Sequence, residues 1–188
     1  MATQDRLPTG NSAVSDTWVT GTAGNKWDDV DDPVGTPDDA TTYILKNDAN
    51  NAIQLFTFTA FAITSSAISH IRVFVRAQRT AAGACTIRRQ LRVNGTTYLV
   101  STNATATTSW ADYTADQLTN PNTALAWVEA DVEGTGAAPL QEIGLGISNW
   151  NAGEELQATQ MYAQVDYTDA AGGGDGLTPG KLQPMGIW

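Results

Sequence analysis

From Thr41 to Thr114 the chain is written in short runs whose apolar and polar residues alternate, and this period of two constrains the fold more than any other feature. Successive strand side chains point to opposite faces, so alternation marks one buried and one solvated face. The runs are 41–46, 52–63, 68–79, 84–93, 96–101 and 105–114, each of strand length and bounded by Asn, Gly, Ser or Ala-Gly turn signals. Between Val93 and Thr96, Asn94-Gly95 is the pair that a type I′ hairpin turn requires. Runs 139–149 and 155–168 add two strands; in the second, Leu156, Ala158, Gln160 and Tyr162 alternate against Met161, Ala163, Val165 and Tyr167. About eight strands in one domain predict an all-β fold, an antiparallel two-sheet β-sandwich.

Composition agrees. Threonine occurs 26 times against 3 lysines, and β-branched polar residues suit the outer faces of strands. Charged residues make up 16%, below the roughly 25% typical of globular domains. The net charge of −10 argues against nonspecific nucleic-acid binding and against anionic membranes. No apolar run approaches the roughly 18 to 20 residues of a membrane helix. The opening residues lack the basic and apolar regions of a secretory signal, so cytoplasmic synthesis is expected. A single cysteine, Cys85, reads as a small buried hydrophobe.

Residues 1–16 are polar and contain Pro8 and Gly10, which predicts an N-terminal arm, with the domain at 17–169 and its first strand at Thr17–Thr20. Residues 21–40 form a turn-rich loop with six Asp, anchored by Trp27 and Val30. In run 68–79, Ile71, Val73, Val75 and Ala77 face the core while His70, Arg72, Arg76 and Gln78 face out. In run 84–93, Ile87, Leu91 and Val93 face in and Arg88, Gln90 and Arg92 face out. Arg72, Arg76, Arg88 and Arg92 are expected to share one sheet face, and Arg89 falls on the inward parity, where it needs a bulge, a partner or a sheet margin. After Asn120-Pro121, Trp127 and the acidic residues behind it read as one or two helical turns. Residues 170–188 are a Gly-rich linker and a C-terminal arm ending in apolar residues.

Four segments carry a resemblance: PDDATTYI (Pro37 to Ile44), TNPNTALAW (Thr119 to Trp127), EIGLGI (Glu142 to Ile147) and TQMYAQVDYT (Thr159 to Thr168). Together they resemble jelly-roll virion structural proteins of tailed bacteriophages, over roughly residues 15 to 168. The resemblance implies a non-catalytic capsid decoration subunit or a tail or fibre subunit, located in the virion after assembly in the host cytoplasm. It implies identical subunits, as in a trimer, and the major capsid protein or another virion protein as partners, and no cofactor. Ala124 and Leu125 stand where more glycine would be expected, and the last nineteen residues lie outside the pattern.

Candidate chemistry is sparse. His70 is the sole histidine, so any Ser-His-Asp arrangement would have to be built on it. The acidic run Asp28, Asp29, Asp31, Asp32, Asp38, Asp39 lacks the spacing and closing Glu of a calcium loop, and no metal is expected. Its Asp28, Asp29, Asp31 and Asp32 could instead meet Arg72, Arg76, Arg88 and Arg92 between identical subunits. The apolar end of the tail, Leu177, Leu182, Met185, Ile187 and Trp188, is expected to dock on a neighbour. Of six tryptophans, Trp150 is the candidate for stacking on a sugar, so a tail or fibre module recognising a host carbohydrate is the alternative function.

Overall fold

The computed structural model describes residues 1–15, 18–22, 24–47, 52–81, 83–148 and 154–170. The elements are β1 (Ala2–Arg6), β2 (Pro8–Ser15), β3 (Val19–Thr20), β4 (Ile44–Lys46), β5 (Ile53–Phe58), β6 (Ser65–Arg79), β7 (Thr86–Val93), β8 (Thr96–Leu99), β9 (Ala104–Thr105), β10 (Ala111–Gln117), α1 (Glu129–Val132), β11 (Leu140–Ser148) and β12 (Leu156–Asp169). They make two six-stranded antiparallel sheets. The front sheet runs β10-β6-β12-β4-β3 with β1 also on β12; the back sheet runs β2-β5-β11-β7-β8 with β9 also on β7. The chain crosses between sheets at every connection except β3 to β4, β7 to β8 and β8 to β9, the jelly-roll manner of joining a sandwich. Among the described residues no helix is long and apolar enough to cross a membrane.

The core lies between the sheets. Ile71, Val73, Val75 and Ala77 of β6 and Ile87, Leu91 and Val93 of β7 are fully buried, as their alternation predicts, together with Ile143, Leu145 and Ile147 of β11. Asn94 and Gly95 take φ of 48° and 76°, the paired left-handed geometry of a type I′ turn, and join β7 to β8. Val30 is fully buried and Trp27 packs against the core from its margin. Trp127 is buried just before the single turn of α1.

Three expectations are corrected. Residues 2–15 are not an arm: β1 pairs with β12 from Ala2↔Tyr167 to Arg6↔Ala163, and β2 pairs with β5. This short polar stretch supplies a strand to each sheet, and its polarity is that of edge strands with a solvated face. Pro8 is the first residue of its strand, where a missing N–H is tolerated. Gln4 pins β1 by exchanging side-chain hydrogen bonds with the backbone of Ala62, at 3.0 and 2.9 Å.

Second, the four arginines do not share a face. β6 and β7 belong to different sheets, so Arg72 and Arg76 face out on one side of the sandwich and Arg88 and Arg92 on the other. Third, the alternation of β12 is broken. Ala158 pairs with Ala77 but Gln160 with Arg76, so Thr159 is a bulge that reverses the parity. Leu156 and Ala158 are therefore in the core before the bulge, and Met161, Ala163 and Val165 after it, leaving Gln160 and Tyr162 on the outer face.

Candidate functional site

The outer face of the front sheet is ordered in rows. One row crosses four strands: Asp116 of β10, Arg72 of β6, Gln164 of β12 and Asp5 of β1. Arg72 donates from Nε and Nη2 to the two oxygens of Asp116, at 2.7 and 3.1 Å, and from Nη1 to Gln164 at 3.2 Å. Gln164 in turn donates to Asp5 at 2.8 Å. The guanidinium pulls the Asp116 carboxyl below its usual range.

The next row is apolar. Phe74 of β6 and Tyr162 of β12 stack with ring centroids 4.4 Å apart and planes 19° from parallel. Burial, then the nearby carboxylates of Asp5 and Asp112, push the Tyr162 phenol up. Beyond it Arg76 donates from Nη1 to Asp112 at 2.8 Å, and from Nε and Nη2 to Asp39 at 2.5 and 2.9 Å.

Asp39 brings the acidic loop onto this face. On the edge of β12, β4 pairs with residues up to Ala158 and β1 with residues from Ala163 onward, and the loop fills the gap. Met161 donates its N–H to the carbonyl of Val30 at 2.9 Å, and Asp31 bridges to Gln160. The Gln160 amide donates to the carbonyls of Asp32 and Pro33, at 2.9 and 2.7 Å. Asp32 accepts from the Asp38 N–H at 2.7 Å, and Asp29 accepts from the Thr22 hydroxyl at 2.5 Å. Burial pushes the carboxyls of Asp29, Asp31 and Asp32 up, and neighbouring carboxylates add to it. Asp28 stays exposed beside Asn25.

Between loop and sheet is a cavity of about 320 Å³ lined by Val34, Gly35, Pro37, Phe74, Arg76, Asp112, Gln160 and Tyr162. On the sheet side the apolar row of Phe74 and Tyr162 lies beside the polar row of Asp112, Arg76 and Gln160, and the loop adds Val34, Gly35 and Pro37. Gln160 is 1% exposed and Tyr162 9%; among the described residues the Gln160 Oε1 and the Tyr162 hydroxyl take part in no hydrogen bond. Two largely buried side chains of the lining thus carry polar atoms that no protein group among the described residues uses.

The charge complementarity expected between subunits is, at Arg76, made within one chain, by Asp39 from the end of the same loop. Arg92 on the opposite face lies 3.6 Å from Glu142. His70 stands 3.0 Å from Asp166 and 3.8 Å from Asp116. Among the described residues no group of His, Cys, Asp and Glu is arranged to hold a metal ion. Trp150 and the tail residues Leu177, Leu182, Met185, Ile187 and Trp188 lie outside the described residues. Reading the sequence by type missed Phe74, Asp112, Gln160 and Tyr162 as a site; the available signal was Phe74, an aromatic residue on the outward register between Arg72 and Arg76.

No protein-family model matches the chain, and no curated protein matches it. Among solved structures it is similar to the C-terminal CBM6 of the laminarinase LamC from Zobellia galactanivorans, at 9% identity and a TM-score of 0.43, over 88% of this chain and 100% of that one. It is also similar to the CBM22-1 xylan-binding domain of Paenibacillus barcinonensis Xyn10C, at 10% identity and a TM-score of 0.43, over 89% and 95%. A third is the N-terminal cellulose-binding domain of Cellulomonas fimi β-1,4-glucanase C, at 12% identity and a TM-score of 0.41, over 87% and 98%. Likenesses this distant carry no weight for what this chain binds.

Proposed function

We propose that this β-sandwich is a non-enzymatic saccharide-recognition module whose binding site is the cavity on the outer face of the front sheet. The observation that carries the reading is the mixed lining of that cavity. Val34, Pro37, Phe74 and Tyr162 offer apolar surface, and Arg76, Asp112, Gln160 and the Tyr162 hydroxyl offer donors and acceptors. A pyranose has the same division, with C–H groups on its ring faces and hydroxyls around its rim. At about 320 Å³ the space is at the small end of the roughly 300–1,000 Å³ of ligand sites. The test is binding of the full chain to immobilised neutral and acidic glycans, beside Phe74→Ala. Saturable binding lost at least tenfold in Phe74→Ala, with an unchanged urea midpoint, supports the reading; the absence of saturable binding to any glycan removes it.

A role in a phage particle is proposed beside it, on the sequence resemblance and one further observation. Leu118, Leu125 and Val128 are 66%, 69% and 54% exposed, all in or next to the TNPNTALAW segment, and Asn120 fixes that loop by hydrogen bonds to Asp131 and Ala138, both at 2.9 Å. Large apolar side chains held out on one ordered loop suit contact with an identical subunit or another virion protein. Native mass and co-sedimentation with undecorated particles test it. Loss of both association and pelleting in a Leu118→Ser, Leu125→Ser variant supports the role, and a monomer that never pellets removes it.

A further inference from the structure

The charges around the cavity reach beyond the class of ligand to its kind. Arg76, the lining cation, is already met by two carboxylates: Asp39 takes Nε and Nη2, and Asp112 takes Nη1. Its charge is more than balanced where a ligand would sit. Asp32 and Asp38 stand just behind the turn at residues 33–37, linked by the Asp38 N–H to the Asp32 carboxylate. The formal charges around the cavity therefore sum to a negative balance. A carboxylate on the ligand would be repelled by Asp112 and would find no unpaired cation in the lining.

The unused polar atoms are neutral ones. Gln160 Oε1 is an acceptor, and its amide is held in place because the N–H groups donate to the carbonyls of Asp32 and Pro33. The Tyr162 hydroxyl can donate or accept. A ligand that reaches this fixed acceptor must donate to it, as a sugar hydroxyl does. The turn at 33–37 bounds the cavity on one side, and about 320 Å³ is at the low end of ligand-site volumes, which favours a short ligand over a long chain.

Resting on the saccharide reading above, we infer that the cavity takes a single uncharged terminal pyranose, donating a hydroxyl to Gln160 Oε1, and rejects uronic and sialic acids. The experiment is calorimetric titration of the full chain with the methyl pyranosides of glucose, galactose and mannose, with the matching methyl uronates, and with oligosaccharides capped at the non-reducing end. The expected result is that one neutral pyranoside binds, its uronate binds at least tenfold more weakly, and the capped oligosaccharide does not bind. Asp112→Asn should narrow the gap between pyranoside and uronate. If only long chains bind, capped or not, the inference fails while the saccharide reading stands. A uronate that binds as tightly as its neutral partner also overturns it. If no saccharide binds in titration or on immobilised glycans, both fall.

Discussion

Arg76 on β6 grips Asp39 through two parallel hydrogen bonds of 2.5 and 2.9 Å, although the two residues are 37 apart in sequence. Asp39 sits at φ 55°, a left-handed conformation that Asp and Asn tolerate better than most residues. The pair ties the end of the acidic loop to the sheet and forms one side of the cavity. Both side chains are only partly exposed, and charge-assisted forks of this kind are stronger than neutral hydrogen bonds. Asp39→Asn keeps the backbone preference and removes the charge, so it isolates the ion pair. It should cost about 1–2 kcal/mol in urea unfolding and weaken ligand binding by loosening the loop. Arg76→Lys should fall between parent and Asp39→Asn, because an ammonium cannot make the fork. An unchanged urea midpoint in Asp39→Asn would show that the loop is held by its backbone contacts to β12 alone.

Opposite shifts in two groups of carboxyls set a pH profile. Asp29, Asp31 and Asp32 have folded pKa values above their ordinary one, because burial and mutual repulsion penalise the charge. The stability they contribute is present below the unfolded pKa and is lost as pH rises through the folded one. Asp116 is shifted down by Arg72; its contribution is present above the unfolded pKa and is lost as pH falls through the folded one. With an unfolded Asp pKa near 3.9, stability should rise as pH drops from neutrality toward about 4 and decline again below it. Urea midpoints across that range check it. Asp29→Asn with Asp31→Asn and Asp32→Asn should flatten the upper limb. A parent midpoint that climbs steadily from pH 4 to 7 would contradict the assignment.

Much of the fold is legible in local pattern, and the reason is the sheet itself. A strand with one face in the core must alternate, so Ile71, Val73, Val75 and Ala77 reveal their side without knowledge of any neighbour. Asn94-Gly95 is equally local, since the turn geometry is a property of those two residues. What sequence pattern does not carry is which strand lies beside which. β1 and β2 are polar because they pair along edges, and polarity alone reads as an arm. Arg72 and Arg88 both face outward, yet only the crossover between β6 and β7 sends them to opposite sides. The bulge at Thr159 has no side-chain signature, and it alone puts Tyr162 against Phe74. The cavity depends on that meeting and on the loop that Arg76 draws in from Asp39, so it was the least legible part.

Among the described residues, Arg89 is a buried cation without an acidic partner. It is 4% exposed on the inner face of β7 between Ile87 and Leu91, and its guanidinium donates to the carbonyls of Thr102 at 2.8 Å and Ile87 at 3.5 Å. Burial alone lowers its pKa, with no neighbouring charge offsetting it. Such a group carries a desolvation penalty that two carbonyl contacts repay only in part. Arg89→Met keeps much of the volume and removes the charge, while the Thr102 carbonyl, on an exposed residue, can turn to water. Chemical denaturation should place Arg89→Met within about 1 kcal/mol of the parent, or above it. A loss of more than about 3 kcal/mol would mean that the Thr102 contact organises the 100–103 connection and outweighs the cost of burying the charge.

Cys85 is fully buried in the core at the entrance to β7. Burial, reinforced by the carboxylate of Glu154, pushes its thiol up to about 11. The thiolate is the reactive form, and at neutral pH it is almost absent; the reagent also has no path to the sulfur. The native protein should therefore leave Ellman's reagent uncoloured at pH 8, while denaturant should release the single thiol of each chain. The rate of labelling in the native state then reports opening of the core around β7, because only an opened molecule exposes the sulfur. If the native thiol reacts within seconds, at a rate independent of stability, Cys85 is accessible and its placement between the sheets is wrong.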